Sequence, residues 1–247
     1  GGWYTEAACT TQKAGTNGNF TPTANITVYA KWTANTYTVK YNGNGSTGGS
    51  TANSSHTYDV GKALTANGFE RKYTVTYNHN YSGSTNTTRT STYSFDKWSK
   101  NAAGTDGSYT NGQSVTNLSS TNGATVNLYA QWTSQAVTYV PTRTGYTFGG
   151  WYTEAACTTQ KAGTNGSFTP TANITVYAKW TPTNYTIGYT LNGGTNGSGN
   201  PASYNIETNT ITLADASKTG YTFTGWTGSN GTTPQKGVQI AKGSTGN

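Results

Sequence analysis

Alternation between apolar and polar residues is the clearest pattern along this chain. In residues 26–32 the apolar side chains occupy every second position, as Ile26, Val28, Ala30 and Trp32. Tyr29 and Lys31 fall on the opposite parity. A period of two residues predicts a β-strand with one face in a core and the other toward water. Residues 126–133 and 173–181 repeat this pattern and predict two further strands of the same kind.

A second kind of strand is predicted near Thr36, Lys72 and Asn184, where the chain reads TYTVKYNGNG, KYTVTYNHN and NYTIGYTLNGG. Each run ends in asparagine and glycine residues, which readily adopt positive φ. The pattern therefore predicts a β-hairpin with a tight turn after each of these strands. We call them opening strands, and those ending in Y-A-x-W closing strands.

Internal repetition divides the chain. Residues 1–33 recur as residues 149–181, and the only difference is Asn19 against Ser167. The pattern predicts four segments: a partial repeat at 1–33 that corresponds to the C-terminal half, an extended unit at 34–133, a unit at 134–181, and a unit at 182–247 without its last strand. The extended unit has two opening strands, so it is either two modules or one module with an insertion.

Composition supports short strands and excludes a helical bundle. The 247 residues include 32 Gly and no Met, and aromatic residues (19 Tyr, 7 Trp and 6 Phe) supply much of the apolar surface. Glycine disfavours helices, whereas aromatic residues favour strands. We predict a mainly β fold, in which small modules with aromatic cores form an extended tandem array.

Charge gives little indication of a partner. The net charge is +7, but only 9% of the residues are charged, and the basic ones are scattered singly. Nucleic-acid binding is therefore not predicted. No apolar run approaches the roughly 20 residues of a membrane span, so membrane insertion is not predicted either.

The residues most suited to catalysis or metal binding do not form a known pattern. His56, His79, Cys9 and Cys157 lack zinc-site spacing, and the eight carboxylates are dispersed. A G-x-G-x-x-G motif at residues 43–48 follows a predicted strand, but no helix is predicted after it to bind a pyrophosphate. We predict no enzyme activity, no cofactor and no metal.

Aromatic residues have two predicted roles. The tryptophans are predicted to pack in cores, and they are Trp3, Trp32, Trp98, Trp132, Trp151, Trp180 and Trp226. Tyr29, Tyr129 and Tyr177 fall on the opposite parity of their closing strands. These tyrosines are candidate stacking platforms for a glycan, because an aromatic ring presents a flat apolar face. The alternative is that they are amphipathic residues on an exposed sheet face.

The run TRTGYTFGGWYTEAACTT with its closing ITVYAKWT resembles the Listeria–Bacteroides repeat family, the internalin B type of repeat. The matching positions are Gly145, Tyr146, Phe148, Gly150, Trp151, Tyr177, Ala178 and Trp180, and again Gly220, Tyr221, Phe223, Gly225 and Trp226. The resemblance covers most of the chain, although residues 94–98 replace the glycine-rich form. It implies β-grasp-like modules on a secreted or wall-attached bacterial protein, with no catalysis.

Three functions remain open. The first is a non-enzymatic stalk, spacer or adhesion scaffold at the bacterial cell surface. The second is a carbohydrate-binding array that uses exposed aromatic rings. The third is a self-assembling surface fibre subunit that associates end to end, because unpaired strand edges accept further strands. A host or bacterial surface glycan or protein is the expected partner.

Overall fold

The computed structural model describes residues 1–247, which form strands and no helix. The strands of residues 1–33 are β1 (Trp3–Tyr4), β2 (Gln12–Ala14) and β3 (Tyr29–Ala30). Those of residues 34–133 are β4 (Thr36–Asn42), β5 (Gly48–Gly49), β6 (Ser54–Thr57), β7 (Lys62–Ala63), β8 (Phe69–Asn78), β9 (Thr87–Ser99), β10 (Ser114–Val115) and β11 (Thr125–Thr133). The prediction of a mainly β fold with tandem repeats is confirmed.

The remaining strands are shorter toward the end of the chain. Residues 134–182 contribute β12 (Val137–Thr138), β13 (Tyr146–Tyr152), β14 (Gln160–Ala162), β15 (Ser167–Phe168) and β16 (Ile174–Pro182). Residues 183–247 contribute β17 (Tyr185–Thr186), β18 (Ser203–Tyr204), β19 (Ile211–Thr212), β20 (Trp226–Gly228), β21 (Gly231–Gln235) and β22 (Gln239–Ile240). No helix long and apolar enough to cross a membrane is present.

The chain folds into two compact units. Unit 1 contains Gly1–Lys72 and Thr92–Gln135, and unit 2 contains Tyr73–Ser91 and Ala136–Asn247. The chain passes from one unit to the other within β8 and again within β9. The second opening strand predicted in the extended segment therefore belongs, from Tyr73 onward, to the unit that holds the third segment.

The main sheet of unit 1 has the strand order β9, β11, β4, β6. The closing strand β11 pairs in parallel with the opening strand β4, from Thr125 opposite Thr38 to Tyr129 opposite Asn42. It pairs antiparallel with β9 on its other edge. Because β4 and β11 are parallel, they are joined by a long stretch of chain rather than by a hairpin.

The main sheet of unit 2 repeats this arrangement in the order β14, β13, β16, β8. The closing strand β16 pairs in parallel with the opening strand β8, from Ile174 opposite Val75 to Tyr177 opposite Asn78. It pairs antiparallel with β13, beginning with Pro182 opposite Tyr146. The two units therefore share one motif, in which a closing strand lies between a parallel opening strand and an antiparallel strand, β9 or β13. We call β9 and β13 central strands, because they come between the opening and closing strands in the sequence.

Each unit has its own small core below this motif. The core of unit 1 consists of Tyr37, Val39, Tyr41, Leu64, Trp98, Val115, Leu128 and Ala130. The core of unit 2 consists of Val75, Tyr77, Val137, Phe148, Trp151, Ala162, Phe168, Val176 and Ala178. Aromatic rings and alternate strand positions fill both cores, as the sequence pattern predicts.

The turns after the first two opening strands are not tight: β8 does lie beside the next long strand, β9, but residues 79–86 connect them. Asn44 and Asn80 do adopt positive φ, at 46° and 59°. However, β4 pairs antiparallel with β6 only after the connection 43–53, and its other edge pairs with β11. The asparagine side chains explain this difference, because they bind the closing strand.

Candidate functional site

The joint between the opening and closing strands is the most elaborate polar arrangement in each unit. In unit 1, Nδ2 of Asn44 donates hydrogen bonds to the carbonyl oxygens of Ala130, at 2.8 Å, and Ala102, at 2.9 Å. The indole Nε1 of Trp132 donates to the carbonyl oxygen of Gly43 at 2.9 Å. We call this arrangement the asparagine–tryptophan clasp.

Unit 2 contains the same clasp. Nδ2 of Asn80 donates to the carbonyl oxygens of Ala178, at 3.1 Å, and Ala155, at 2.9 Å. Nε1 of Trp180 donates to the carbonyl oxygen of His79 at 2.7 Å. In both units the asparagine caps the alanine of the Y-A-x-W sequence. The tryptophan supplies the indole donor, and the two alanines are buried in the cores.

Sequence reasoning assigned these asparagines to turns and missed their second role. The backbone N–H groups of Asn44 and Asn80 bind the Oδ1 atoms of Asn42 and Asn78 at 2.8 Å. This short-range contact holds the turn through the backbone. The side-chain Nδ2 atoms of Asn44 and Asn80 therefore remain available to bind the closing strand. The signal in the sequence is the N-x-N spacing at the end of the first two opening strands.

The candidate stacking tyrosines lie in separate closing strands. Tyr29 is 38% exposed, and Tyr129 and Tyr177 are half-buried. Tyr129 lies opposite Asn42 and Tyr177 opposite Asn78 in their parallel pairs. None of the three takes part in a ring contact. Their ring faces are thus partly accessible, but no common platform formed by Tyr29 and Tyr129 is seen within unit 1.

The predicted core tryptophans have very different exposures. Trp98 and Trp151 are completely buried, and Trp132 and Trp180 pack against the two cores. Trp226 is half-buried. Trp3 is 39% exposed and Trp32 is 89% exposed, so Trp32 does not lie in a core. The physical reason is that no opening strand pairs with residues 26–32, unlike the identical residues of the second copy.

Residues 182–247 have an open face with both aromatic and polar residues. A cavity of about 770 Å³ is lined by Tyr189, Phe223, Trp226 and their neighbours. Tyr189 packs against Trp226 with ring centroids 5.6 Å apart, close to the arrangement of Tyr77 and Trp151 at 4.8 Å. Nε1 of Trp226 is buried without a hydrogen-bond partner. No closing strand covers this face.

A cationic aromatic cluster lies in unit 2 beside a second cavity, of about 780 Å³. The guanidinium carbon of Arg143 lies 3.6 Å from the ring centre of Tyr146 and 4.6 Å from that of Tyr81. The hydroxyl of Tyr146 donates to Glu207 Oε1 at 2.9 Å, and this hydrogen bond raises the pKa of Tyr146. The cluster combines the Arg143 guanidinium and the Glu207 carboxylate with aromatic surface.

Several acidic side chains stabilise local structure. The Glu154 carboxylate accepts hydrogen bonds from the hydroxyl groups of Thr153 and Thr158 and from backbone N–H groups. These bonds, the Thr153 hydroxyl first, lower the pKa of Glu154 to about 2. Glu6 is in the equivalent turn, and its pKa is also lowered to about 2, chiefly by the hydroxyl of Thr10. Both carboxylates are thereby engaged in holding turns.

The cysteines and histidines do not come together. Cys9 and Cys157 are both free thiols. Burial raises the pKa of Cys157, so the nucleophilic thiolate is disfavoured. His56 is buried and stacks on Tyr37, and His79 lies within hydrogen-bond distance of the Tyr139 hydroxyl. No group of three histidine, cysteine, aspartate or glutamate side chains is placed to hold a metal ion.

Comparison with known families gives one match. The family model described as the Listeria-Bacteroides repeat domain matches residues 1–31, 120–179 and 185–246, which is more than half of the chain. No curated protein and no solved structure matches the chain. The matched ranges cover the central strands of residues 1–33, 134–181 and 182–247, and the closing strands β3, β11 and β16.

Proposed function

Because the chain belongs to the Listeria-Bacteroides repeat family, we propose that it is a non-enzymatic stalk or adhesion scaffold on the outside of a bacterial cell. The family points to a bacterial surface repeat protein. The observation that supports a structural role is the repetition of one strand motif, with the same clasp, in both units. A scaffold needs a repeated, stable joint and no reactive centre.

We also propose that the shared motif is β-grasp-like in its strand order. In each unit the first and last strands of the motif are parallel neighbours, and the central strand lies antiparallel on the other edge of the closing strand. The motif does so without a helix. Such modules would stack as repeats whose stability is close to a sum over units.

Labelling of intact cells tests the surface location. Antibodies raised against the 247-residue chain should label intact cells of the bacterium that carries the gene, and protease treatment of those cells should remove the label. An antibody against a cytoplasmic protein serves as the control for membrane integrity. Labelling that appears only after the cells are permeabilised would contradict the proposal.

Carbohydrate binding is the second candidate, and the partly accessible tyrosines together with the Arg143 cluster favour it. Binding of the chain to a panel of acidic and neutral glycans tests this function. Tyr129→Ala and Arg143→Ala should each weaken the binding, whereas Tyr58→Ala, which lies outside the closing strands, should not. No binding across the panel, or equal losses in all three variants, would reject this candidate.

Self-association remains a prediction. Ile26 and Trp32 are exposed on either side of the short strand β3, and residues 182–247 have an open cavity lined in part by aromatic rings. Light scattering over a range of protein concentrations tests whether these surfaces join separate molecules. A mass that stays monomeric at every concentration would exclude the fibre subunit.

A further inference from the structure

The direction of the chain through β4 and β11 determines how unit 1 responds to tension. The chain enters β4 at Thr36 and leaves β11 at Thr133. Because the strands are parallel and paired, with Thr38 opposite Thr125 and Asn42 opposite Tyr129, the entry and exit points lie at opposite ends of the pair. Tension between these points pulls the two strands past each other.

Sliding and peeling load hydrogen bonds differently. When two strands slide, the hydrogen bonds between them, which are evenly spaced and slanted in a parallel pair, lie across the force and resist together. When two strands are peeled from one end, the bonds break one after another. A parallel pair pulled from opposite ends therefore resists a greater force than the same pair peeled from one end.

Side-chain and backbone contacts secure both ends of the β4–β11 pair. At the C-terminal end of β4, Nδ2 of Asn44 binds the carbonyl oxygen of Ala130, and Trp132 binds the carbonyl oxygen of Gly43. At the N-terminal end, the Thr38 N–H donates to the carbonyl oxygen of Ala124 at 2.8 Å. These bonds cross the interface that would slide.

Buried side chains add a second resistance. Val39 of β4 and Leu128 of β11 are completely buried, and Tyr41 is 5% exposed. Sliding β4 by one residue would move these side chains from the core face to the outer face. The rearrangement would expose apolar surface, which costs about 25 cal/mol per Å².

Unit 2 has the same pairing and clasp, but a different chain path, because β8 continues from unit 1 and the chain returns to unit 1 within β9. The pair of β8 and β16 is parallel and carries its own clasp between Asn80 and Ala178. At the other end the Thr74 N–H donates to Oδ1 of Asn173 at 2.8 Å. The recurrence in both units indicates that the secured parallel pair is a constant feature of the repeat.

We propose that the parallel β4–β11 pair is a mechanical clamp that keeps unit 1 folded while the chain is under tension. The proposal rests on the proposed function, since a stalk that links a cell to a partner is pulled along its chain. It goes further by assigning force resistance to one strand pair and its clasp. The expected load is the drag or shear that separates an attached cell from its partner.

Pulling one molecule in two directions tests the clamp. Both variants are full-length chains in which the native thiols are replaced as Cys9→Ser and Cys157→Ser. The first variant carries Ala34→Cys and Ser134→Cys, which load the β4–β11 pair from opposite ends. The second carries Ala34→Cys and Thr121→Cys, which load the same pair from one end. All three attachment positions are exposed.

Single-molecule force spectroscopy should give a rupture force at least roughly twofold higher for the first variant, because the paired residues resist together. Urea unfolding without force must be the same for both variants, so that a difference reflects direction and not stability. A third variant that adds Asn44→Ala to the first should lower the rupture force. Equal forces in the two directions would overturn the clamp, and the cell-labelling result would still stand on its own.

Discussion

Replacing the buried tryptophan of unit 2, with its twin in residues 1–33 as a control, tests how the repeats are stabilised. Trp151 is completely buried and contacts the rings of Tyr77 and Phe148 at 4.8 and 5.2 Å. Its indole donates to the carbonyl oxygen of Tyr139 at 2.7 Å. Trp3 has the same local sequence, but 39% of its surface is exposed and it has no ring contact.

Trp151→Ala should lower the free energy of unfolding of unit 2 by about 4–5 kcal/mol, which combines the cavity with the loss of one hydrogen bond. That is a large fraction of the about 5–15 kcal/mol that stabilises a typical domain. Trp3→Ala removes less buried surface and should cost about 1–2 kcal/mol, confined to unit 1.

Hydrogen exchange measured by mass spectrometry at increasing urea separates the two effects. A peptide from residues 73–91, which include the part of β8 in unit 2, reports on that unit, and its sequence occurs once in the chain. Its protection should fall strongly in Trp151→Ala and stay unchanged in Trp3→Ala. If both substitutions reduced β8 protection equally, or neither did, the reasoning from burial would be refuted.

Three further predictions concern single side chains. The pKa of Glu154 is about 2 instead of 4.5, so its stabilisation is complete above pH 4.5 and is lost as the pH falls toward 2; an NMR titration midpoint near 4.5 would contradict this. Burial, assisted by Lys62, lowers the pKa of His56 below 6.5, so unit 1 should lose stability as the pH falls below 6.5. Urea unfolding measured above and below pH 6.5 should show this loss in the native chain, and His56→Gln should abolish it. Asn80→Ala should destabilise unit 2 by about 1–3 kcal/mol in the same assay, whereas Asn192→Ala, also at positive φ but without a side-chain hydrogen bond, should have a smaller effect.

The sequence predicts the kinds of strands well because alternation reports directly on burial. Val176 and Ala178 are buried, as their parity predicts. The parallel pairing of β4 with β11 could not be predicted in this way. Periodicity shows which face of a strand is buried, but the partner depends on contacts between residues far apart in the sequence.

The two copies of the 33-residue sequence show the limit most directly. Residues 174–182 form a nine-residue strand, whereas the first copy of that sequence forms only Tyr29–Ala30. The difference arises from β8, which pairs with the second copy only. Local sequence therefore gives a strand propensity, and a tertiary partner decides how much of the strand forms.

The clasp could be predicted only in part. The N-x-N spacing predicts a turn, and Asn44 and Asn80 do adopt the expected positive φ. Their bonds to Ala130 and Ala178 depend on a closing strand that is distant in the sequence. The cluster around Arg143 was missed for the same reason, because Tyr81 and Tyr146 come from different segments.

The position of β8 along the chain affects how the protein must fold during synthesis. β8 is made before β9 and β11 complete unit 1, yet its parallel partner β16 is made only near the end of the third segment. Until then β8 has β9 beside it on one edge, but the edge that β16 later covers stays open next to Val75 and Tyr77, which are buried in the finished protein. Long sequence separation slows folding and leaves such edges open to wrong pairing. This edge of β8 must therefore be kept from wrong pairing until β16 has emerged.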